Sequence, residues 1–179
     1  MRVELISKLS DIDKSDWNNL NTYNHPFTSY DFLNSLEVSK SVHSSTGWNP
    51  QHIIIKNTNQ EIIGVSPNYL KMHSYGEYIF DHSWANAFEN AGGQYYPKLI
   101  CAIPFTPATG PRIMINPENT DHKKIFELII NTYELIVRDN KLSSAHINFT
   151  TDDLNRKLQN NNWIKRTGLQ FHWHNNNYK

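Results

Sequence analysis

The sequence lacks most of what marks secreted, membrane-bound or polyanion-binding proteins. Its 179 residues contain 1 cysteine, so no disulfide can form within the chain. Because 17 basic and 17 acidic residues cancel, no long-range field attracts nucleic acid or an anionic membrane. No apolar run approaches the roughly 20 residues of a membrane span, and the first residues contain no signal segment. We therefore expect a cytoplasmic protein that binds neither DNA nor membranes.

The hydrophobic patterns that are present alternate between strand and helix periods and predict an α/β (α+β) domain. The predicted elements are a strand at 2–6, a helix carrying Ile12, Trp17 and Leu20, a helix carrying Phe32, Leu33, Leu36 and Val38, a loop at 39–50, strands at 52–56 and 62–72, a short helix at 83–91, strands at 99–103 and 113–115, a long helix at about 121–139, a strand at 145–149, a short helix at 151–160 and strands at 163–166 and 169–173. This order predicts a mixed, mostly antiparallel central sheet flanked by helices. Without a repeat or a long linker, residues 1–179 are expected to form one domain.

An aromatic-rich insertion at about 73–98 interrupts this pattern and concentrates groups that can hold a substrate. Glu77 and Asp81 are candidate general bases. Hydroxyls, stacking rings and one amine surround them in sequence, and the candidate substrate-binding residues here are Tyr75, Tyr78, His82, Trp84, Tyr95, Tyr96 and Lys98. The same residues also suit a structural interpretation, in which the rings pack the insertion onto the sheet and Asp81 caps the short helix.

Three further residues outside the insertion are candidates for substrate binding. Arg112 follows a Gly-Pro turn and is suited to a carboxylate or phosphate, or alternatively to a surface ion pair. His172 and His174 share one face of a predicted strand, a spacing that occurs in metal sites. Because the spacing identifies no third ligand, we expect no metal here and predict that the two histidines form hydrogen bonds.

Four strings carry a resemblance to a known family: 69–81 (YLKMHSYGEYIFD), 95–99 (YYPKL), 104–107 (PFTP) and 168–175 (GLQFHWHN). Together they resemble the bacterial FemAB-like family, peptidoglycan-biosynthesis-like proteins of the GNAT acyltransferase superfamily, and the predicted element order is the GNAT order. Members look like two GNAT-type domains in tandem. The resemblance therefore implies an N-terminal half that looks truncated, whose complete protein transfers an acyl or aminoacyl group to an amine-bearing acceptor.

The loop before the long helix bears on the donor. In an ordinary GNAT enzyme, backbone N–H groups of a Gly-containing loop hold the CoA pyrophosphate there. Residues 116–122 contain no glycine, and Pro117, Glu118 and Asp121 remove a donor and add negative charge. We therefore expect no cofactor in this chain, with acyl-CoA or aminoacyl-tRNA as donor for the complete protein and a second GNAT-like domain or chain as partner. The alternative is a non-catalytic remnant or binding module, and a free-standing acetyltransferase is the least favoured interpretation.

Overall fold

The computed structural model describes residues 1–177. In chain order its elements are β1 (Arg2–Ile6), α1 (Lys14–Asn18), α2 (Tyr30–Val38), β2 (Trp48–Pro50), β3 (His52–Lys56), β4 (Ile62–Ser66), β5 (Asn68–Lys71), α3 (His82–Asn90), β6 (Lys98–Cys101), β7 (Met114–Ile115), α4 (His122–Asp139), β8 (Ala145–Ile147) and α5 (Asp152–Gln159). Two of the helices begin at side-chain caps, because Ser29 accepts from the Phe32 amide and Thr151 from the Leu154 amide.

The strands form two four-stranded sheets. One has the order β1-β3-β4-β7 and is antiparallel throughout, and the other has the order β2-β5-β6-β8. In the second sheet β6 and β8 are parallel, whereas the other pairs are antiparallel. This arrangement confirms the predicted fold class of a mostly antiparallel mixed sheet flanked by helices.

Three apolar clusters hold the helices on the sheets. The long helix α4 supplies Ile125, Ile129 and Tyr133 to the largest cluster, which covers strands of both sheets. The short helices before β2 cover the opposite face of the first sheet through residues such as Trp17 and Leu33. The third cluster lies on the second sheet and includes Trp48, Tyr69 and Ile100.

The expected strand at 62–72 is divided. Pro67 has no N–H to donate to a ladder, and the chain changes from one sheet to the other at this residue. Part of the expected loop at 39–50 is strand β2. Val38, expected on the apolar stripe of α2, is 73% exposed.

The two expected C-terminal strands at 163–166 and 169–173 are wrong, since neither segment forms a strand in the described structure. Alternating side chains make a strand only where another strand supplies backbone partners. β8 lies at the outer edge of its sheet, and no segment of the described chain pairs with its free side. Leu169, Phe171 and Trp173 are accordingly exposed.

Replacing Gly64 with alanine is expected to destabilise the fold by about 1–3 kcal/mol, as overpacking of a close-packed core does. A Cβ at position 64 would lie 2.8 Å from Cγ2 of Ile125, where α4 approaches β4. The matched control is Gly168→Ala, because a Cβ there meets nothing within 4 Å. Urea unfolding of both variants measures the difference, and equal midpoints would contradict the close approach.

Candidate functional site

A buried ionic cluster forms the centre of the insertion. The Lys98 amine donates to Oδ2 of Asp81 over 2.7 Å, to Oε2 of Glu77 over 2.9 Å and to Oγ of Ser74 over 2.8 Å. The Tyr95 hydroxyl donates to the same Asp81 oxygen over 2.8 Å. The side chains of Lys98, Glu77 and Asp81 are all 0% exposed, so the cluster is closed to water. Two carboxylates therefore share one cation.

The two carboxylates differ in electrostatic state. Burial alone would raise the pKa of Asp81, but hydrogen bonds from Lys98 and its other partners outweigh burial and hold that pKa below its ordinary value. At Glu77 burial is the larger effect and raises the pKa, with Lys98 opposing it only in part. Glu77 Oε1 and Asp81 Oδ1 are buried without a hydrogen-bond partner among the described residues. Of the two candidate bases, Glu77 therefore has the pKa that is shifted towards neutral pH, as a general base requires.

Lys71 lies beside this cluster and was not among the residues identified from the sequence. It is the register partner of Lys98 across β5 and β6. Its amine contacts the Tyr75 carbonyl at 3.2 Å and the Trp48 ring, whose centroid is 3.8 Å away. No carboxylate of the described chain forms an ion pair with it, and burial lowers the pKa of Lys71 to about 7. The two lysines therefore have different partners on the same sheet face.

Aromatic side chains of the insertion divide into a buried and an exposed set. Tyr95 is buried, and Tyr96 bonds to Ser74 through its hydroxyl. In contrast, Tyr75, Tyr78 and Trp84 are 71%, 49% and 59% exposed. We call the exposed side chains of Tyr75, Tyr78, Phe80, His82 and Trp84 the aromatic surface. Its members are joined in part, since the rings of Tyr75 and His82 lie 5.9 Å apart.

Asp81 also begins helix α3, but through its backbone. Its carbonyl oxygen accepts from the amides of Trp84 and Ala85, whereas its side chain makes no capping bond. The carboxylate is thus committed to Lys98 and Tyr95. Asp81 therefore occupies the predicted N-cap position, but the side-chain capping bond is not formed.

Arg112 lies in the segment between β6 and β7, outside the insertion. Its guanidinium is buried and donates to the backbone carbonyls of Asn148, Ala108 and Pro111. No acidic side chain of the described structure pairs with it, and burial lowers the pKa of Arg112. In this conformation Arg112 fastens the loop 104–111 to the strand end.

His172 and His174 lie in the exposed segment after α5, which forms neither helix nor strand and is far from the insertion in sequence. Within the described residues no group of three or more His, Cys, Asp or Glu side chains is placed to hold a metal ion. One contact does link this segment to the aromatic surface, because the Arg166 guanidinium lies 4.7 Å from the centroid of the Trp84 ring.

In the loop before α4, several backbone amides donate to oxygen atoms of the same loop. The Glu118 amide donates to Oδ1 of Asn116 over 2.9 Å, and the Asp121 amide donates to Oδ1 of Asn119 over 2.8 Å. The Asn119 amide donates to the Asn116 carbonyl over 3.1 Å. Two asparagine side chains therefore occupy N–H groups that an anion would otherwise bind.

Ser74, Lys71 and His146 complete the surroundings of the site but were missed by sequence reasoning. His146 on β8 lies near Tyr95, with the ring centroids 6.4 Å apart, and burial lowers its pKa to about 4 with Lys98 adding to the effect. Strand alternation could have indicated that Lys71 is buried, because it lies on the same face of β5 as the buried Tyr69. Nothing in the sequence signals Ser74 or His146.

The chain has the fold of GNAT acetyltransferases. Over 98% of its length it matches 97% of the aminoglycoside 6'-N-acetyltransferase AAC(6')-Ih of Acinetobacter baumannii, with a TM-score of 0.55 and 14% identity. A ribosomal-protein-alanine N-acetyltransferase of Brucella melitensis biovar Abortus 2308 matches with a TM-score of 0.54 and 11% identity, over 97% of this chain and 99% of that one. The aminoglycoside N-acetyltransferase AAC(6')-Iy in complex with CoA matches with a TM-score of 0.56 and 9% identity, over 98% and 94%. At these identities the likeness concerns the fold.

The chain belongs to the FemAB-like family, described as peptidoglycan biosynthesis/recognition, which it matches over residues 8–179. This confirms the resemblance drawn from the four sequence strings. Among curated proteins no relative matches. Within residues 1–177 no helix is long and apolar enough to cross a membrane.

Proposed function

We propose that this chain is the acceptor-binding unit of a GNAT-type N-acyltransferase that works with a second GNAT-like domain or chain in the cytoplasm. The observation that carries the proposal is the buried Glu77 carboxyl group, which has a raised pKa and an unpartnered Oε1, next to the aromatic surface. Family membership and the GNAT fold support a reaction of the acyltransferase class.

In the proposed reaction Glu77 takes a proton from the acceptor ammonium, and the resulting amine attacks the acyl carbonyl of the donor. A C–N bond forms and the C–S or C–O bond of the donor breaks. The proton on Glu77 passes to the leaving thiolate or alkoxide, and the attacking nitrogen releases its second proton to water as the amide forms. Lys98 orients Glu77 through Oε2. Asp81, kept ionised by its hydrogen bonds, fixes Lys98 in turn.

Access to Glu77 requires movement of the segment that covers it. Tyr78 and Phe80 adopt φ angles of 58° and 55°, in the left-handed region that bulky side chains rarely occupy. Such strain clusters at ligand clamps and other functional positions. We propose that residues 76–80 open when an acceptor binds to the aromatic surface.

The donor is proposed to bind outside this chain. The loop before α4 contains Pro117 and two acids, and the Asn116 and Asn119 side chains occupy its amides. These features disfavour pyrophosphate binding in the usual way of GNAT enzymes. A second GNAT-like domain or chain would then hold acyl-CoA or aminoacyl-tRNA.

Isothermal titration of the purified chain with acetyl-CoA and with CoA tests whether the donor binds outside this chain. We expect no heat of binding at ligand concentrations in the tens of micromolar. Micromolar binding, or acylation of an amine by the chain alone, would instead restore a self-sufficient acetyltransferase.

Trp84→Ala is expected to weaken the binding of soluble muropeptides about tenfold or more, because stacking on an exposed ring supplies much of the contact energy. Muropeptides are the probe because of the family to which the chain belongs. The matched control is Tyr23→Ala, since Tyr23 is 81% exposed and lies outside the insertion. Fluorescence anisotropy with labelled muropeptides gives both affinities. Equal affinities, or no binding by the unaltered chain, would count against the aromatic surface as the acceptor site.

The alternative proposal is a binding module without catalytic activity. It is favoured by one specific observation, namely that Glu77 and Asp81 are both buried and both paired with Lys98, as in a purely structural cluster. Glu77→Gln separates the two proposals. A binding module keeps its ligand affinity after this change. An acyltransferase unit, supplied with its partner domain, loses turnover about 100-fold with little change in acceptor affinity.

A further inference from the structure

A groove beside the end of α2 is not used by the proposed reaction. It lies between the segment after β1, the end of α2 and the segment leading into β2, and its volume is about 340 Å³. Lys8, Ser10, Asn34, Glu37, Val38 and Val42 are among the residues that line it. This volume suits a small ligand rather than a macromolecule.

The Glu37 carboxylate is fixed at this groove by two hydrogen bonds. Oε2 accepts from the Leu9 amide over 2.8 Å, and Oε1 lies 2.9 Å from Nε2 of His52. Nδ1 of His52 accepts from the Asn68 amide, so Nε2 carries the proton and donates to Glu37. The carboxylate is therefore held in one orientation from behind, with its side chain only 11% exposed.

The charges in the groove are not paired with each other. In the described part of the chain Glu37 pairs only with His52, and Lys8 forms no ion pair. A buried carboxylate retains acceptor capacity for a cation, since each oxygen has a second lone pair. An exposed lysine on the same groove supplies a matching site for an anion.

We propose that this groove binds a small zwitterion, an amino acid or a dipeptide, with its ammonium group on Glu37 and its carboxylate on Lys8. Val38, exposed at 73%, and Val42 give the apolar wall that an aliphatic side chain needs. The Ser10 hydroxyl and the Asn34 amide offer hydrogen bonds to a peptide group. This site is independent of Glu77 and of the aromatic surface.

The test is a ¹⁵N-resolved NMR titration with L-alanyl-L-alanine, followed at the amides of Leu9 and Asn68, which report on Glu37 and His52. Both signals are expected to shift saturably. N-acetyl-L-alanyl-L-alanine, which has no ammonium group, should bind at least tenfold more weakly. L-alanyl-L-alaninamide, which has no carboxylate, should also bind more weakly, and Lys8→Met should abolish the difference between the amide and the free acid.

Val38→Trp is expected to fill the groove and remove the response without changing the melting temperature, because the Val38 side chain lies in solvent. Leu135→Trp, at a half-exposed position on α4, is the control and should bind as the unaltered chain does. The proposal is overturned if the dipeptide causes no shift at Leu9, if its N-acetyl form binds equally well, or if Val38→Trp leaves the titration unchanged. None of these outcomes depends on acyl transfer, so failure here leaves the acceptor-binding proposal standing.

Discussion

Lys98→Met is expected to lower the free energy of unfolding by about 3–5 kcal/mol, the cost of removing one partner from a buried charge cluster. Methionine has a similar volume, so the loss is electrostatic rather than a packing defect. It leaves Glu77 and Asp81 buried beside each other with no cation, together with a Tyr95 hydroxyl that still donates to Asp81. Urea unfolding at pH 7 measures the change.

Lys71→Met is the matched control for this experiment. Lys71 is equally buried and faces Lys98 across the same strand pair, but no carboxylate pairs with it in the described structure. Its loss is therefore expected to cost much less, because methionine at this position also removes the cost of burying the amine, the effect that lowers the pKa of Lys71. The triple change Lys98→Met, Glu77→Gln and Asp81→Asn should recover part of the lost stability. Similar losses for Lys98→Met and Lys71→Met would refute the paired cluster.

Acidification is expected to destabilise the protein between about pH 6.5 and pH 4 through His146. Burial lowers the folded-state pKa of this residue to about 4, and the unfolded chain has the ordinary value near 6.5. Within this window the unfolded state binds more protons, so stability falls as pH falls. This difference in pKa corresponds to a loss of at most roughly 3 kcal/mol in the free energy of unfolding.

Charged groups around His146 shift its pKa and can also titrate themselves. Lys98 and Arg166 disfavour its protonation, and Asp81 favours it. Asp81, whose folded-state pKa is lowered, contributes stability that is lost only below about pH 4, so it lies outside the His146 window. His146→Gln should therefore remove the fall in unfolding free energy between pH 6.5 and pH 4 that His146 causes, while Glu77, whose folded-state pKa is raised, contributes in the opposite direction in both proteins. A slope that persists in this variant would assign the effect to another group.

The sequence predicted the fold well where one element carries its own signal. The long helix expected at about 121–139 is α4 at His122–Asp139, and the helix expected after Pro26 begins at its Ser29 cap. The signal at Pro67 was also present, because a residue without an N–H rarely lies inside a paired strand. The C-terminal strands were wrong because alternation states which face is apolar but not whether a neighbouring strand exists.

The site was predicted only as a region. Composition singled out 73–98, but the insertion has no regular period from which to assign inward and outward side chains. Tyr75 and Tyr95 are indistinguishable by residue type, yet one is 71% exposed and the other 8%. Sequence could not show that Lys98 lies between both acids, since that depends on how the turn at 74–81 folds back over β6.

The change of sheet at Pro67 also governs how the molecule comes apart. On the two sides of this proline, Ser66 ends β4 and Asn68 begins β5, and the Tyr133 hydroxyl of α4 bonds to both side chains. One phenol on one helix thus spans the seam between the sheets. Because separating either sheet from α4 breaks this shared contact, we expect the amides of the two sheets to exchange with solvent in one common opening event.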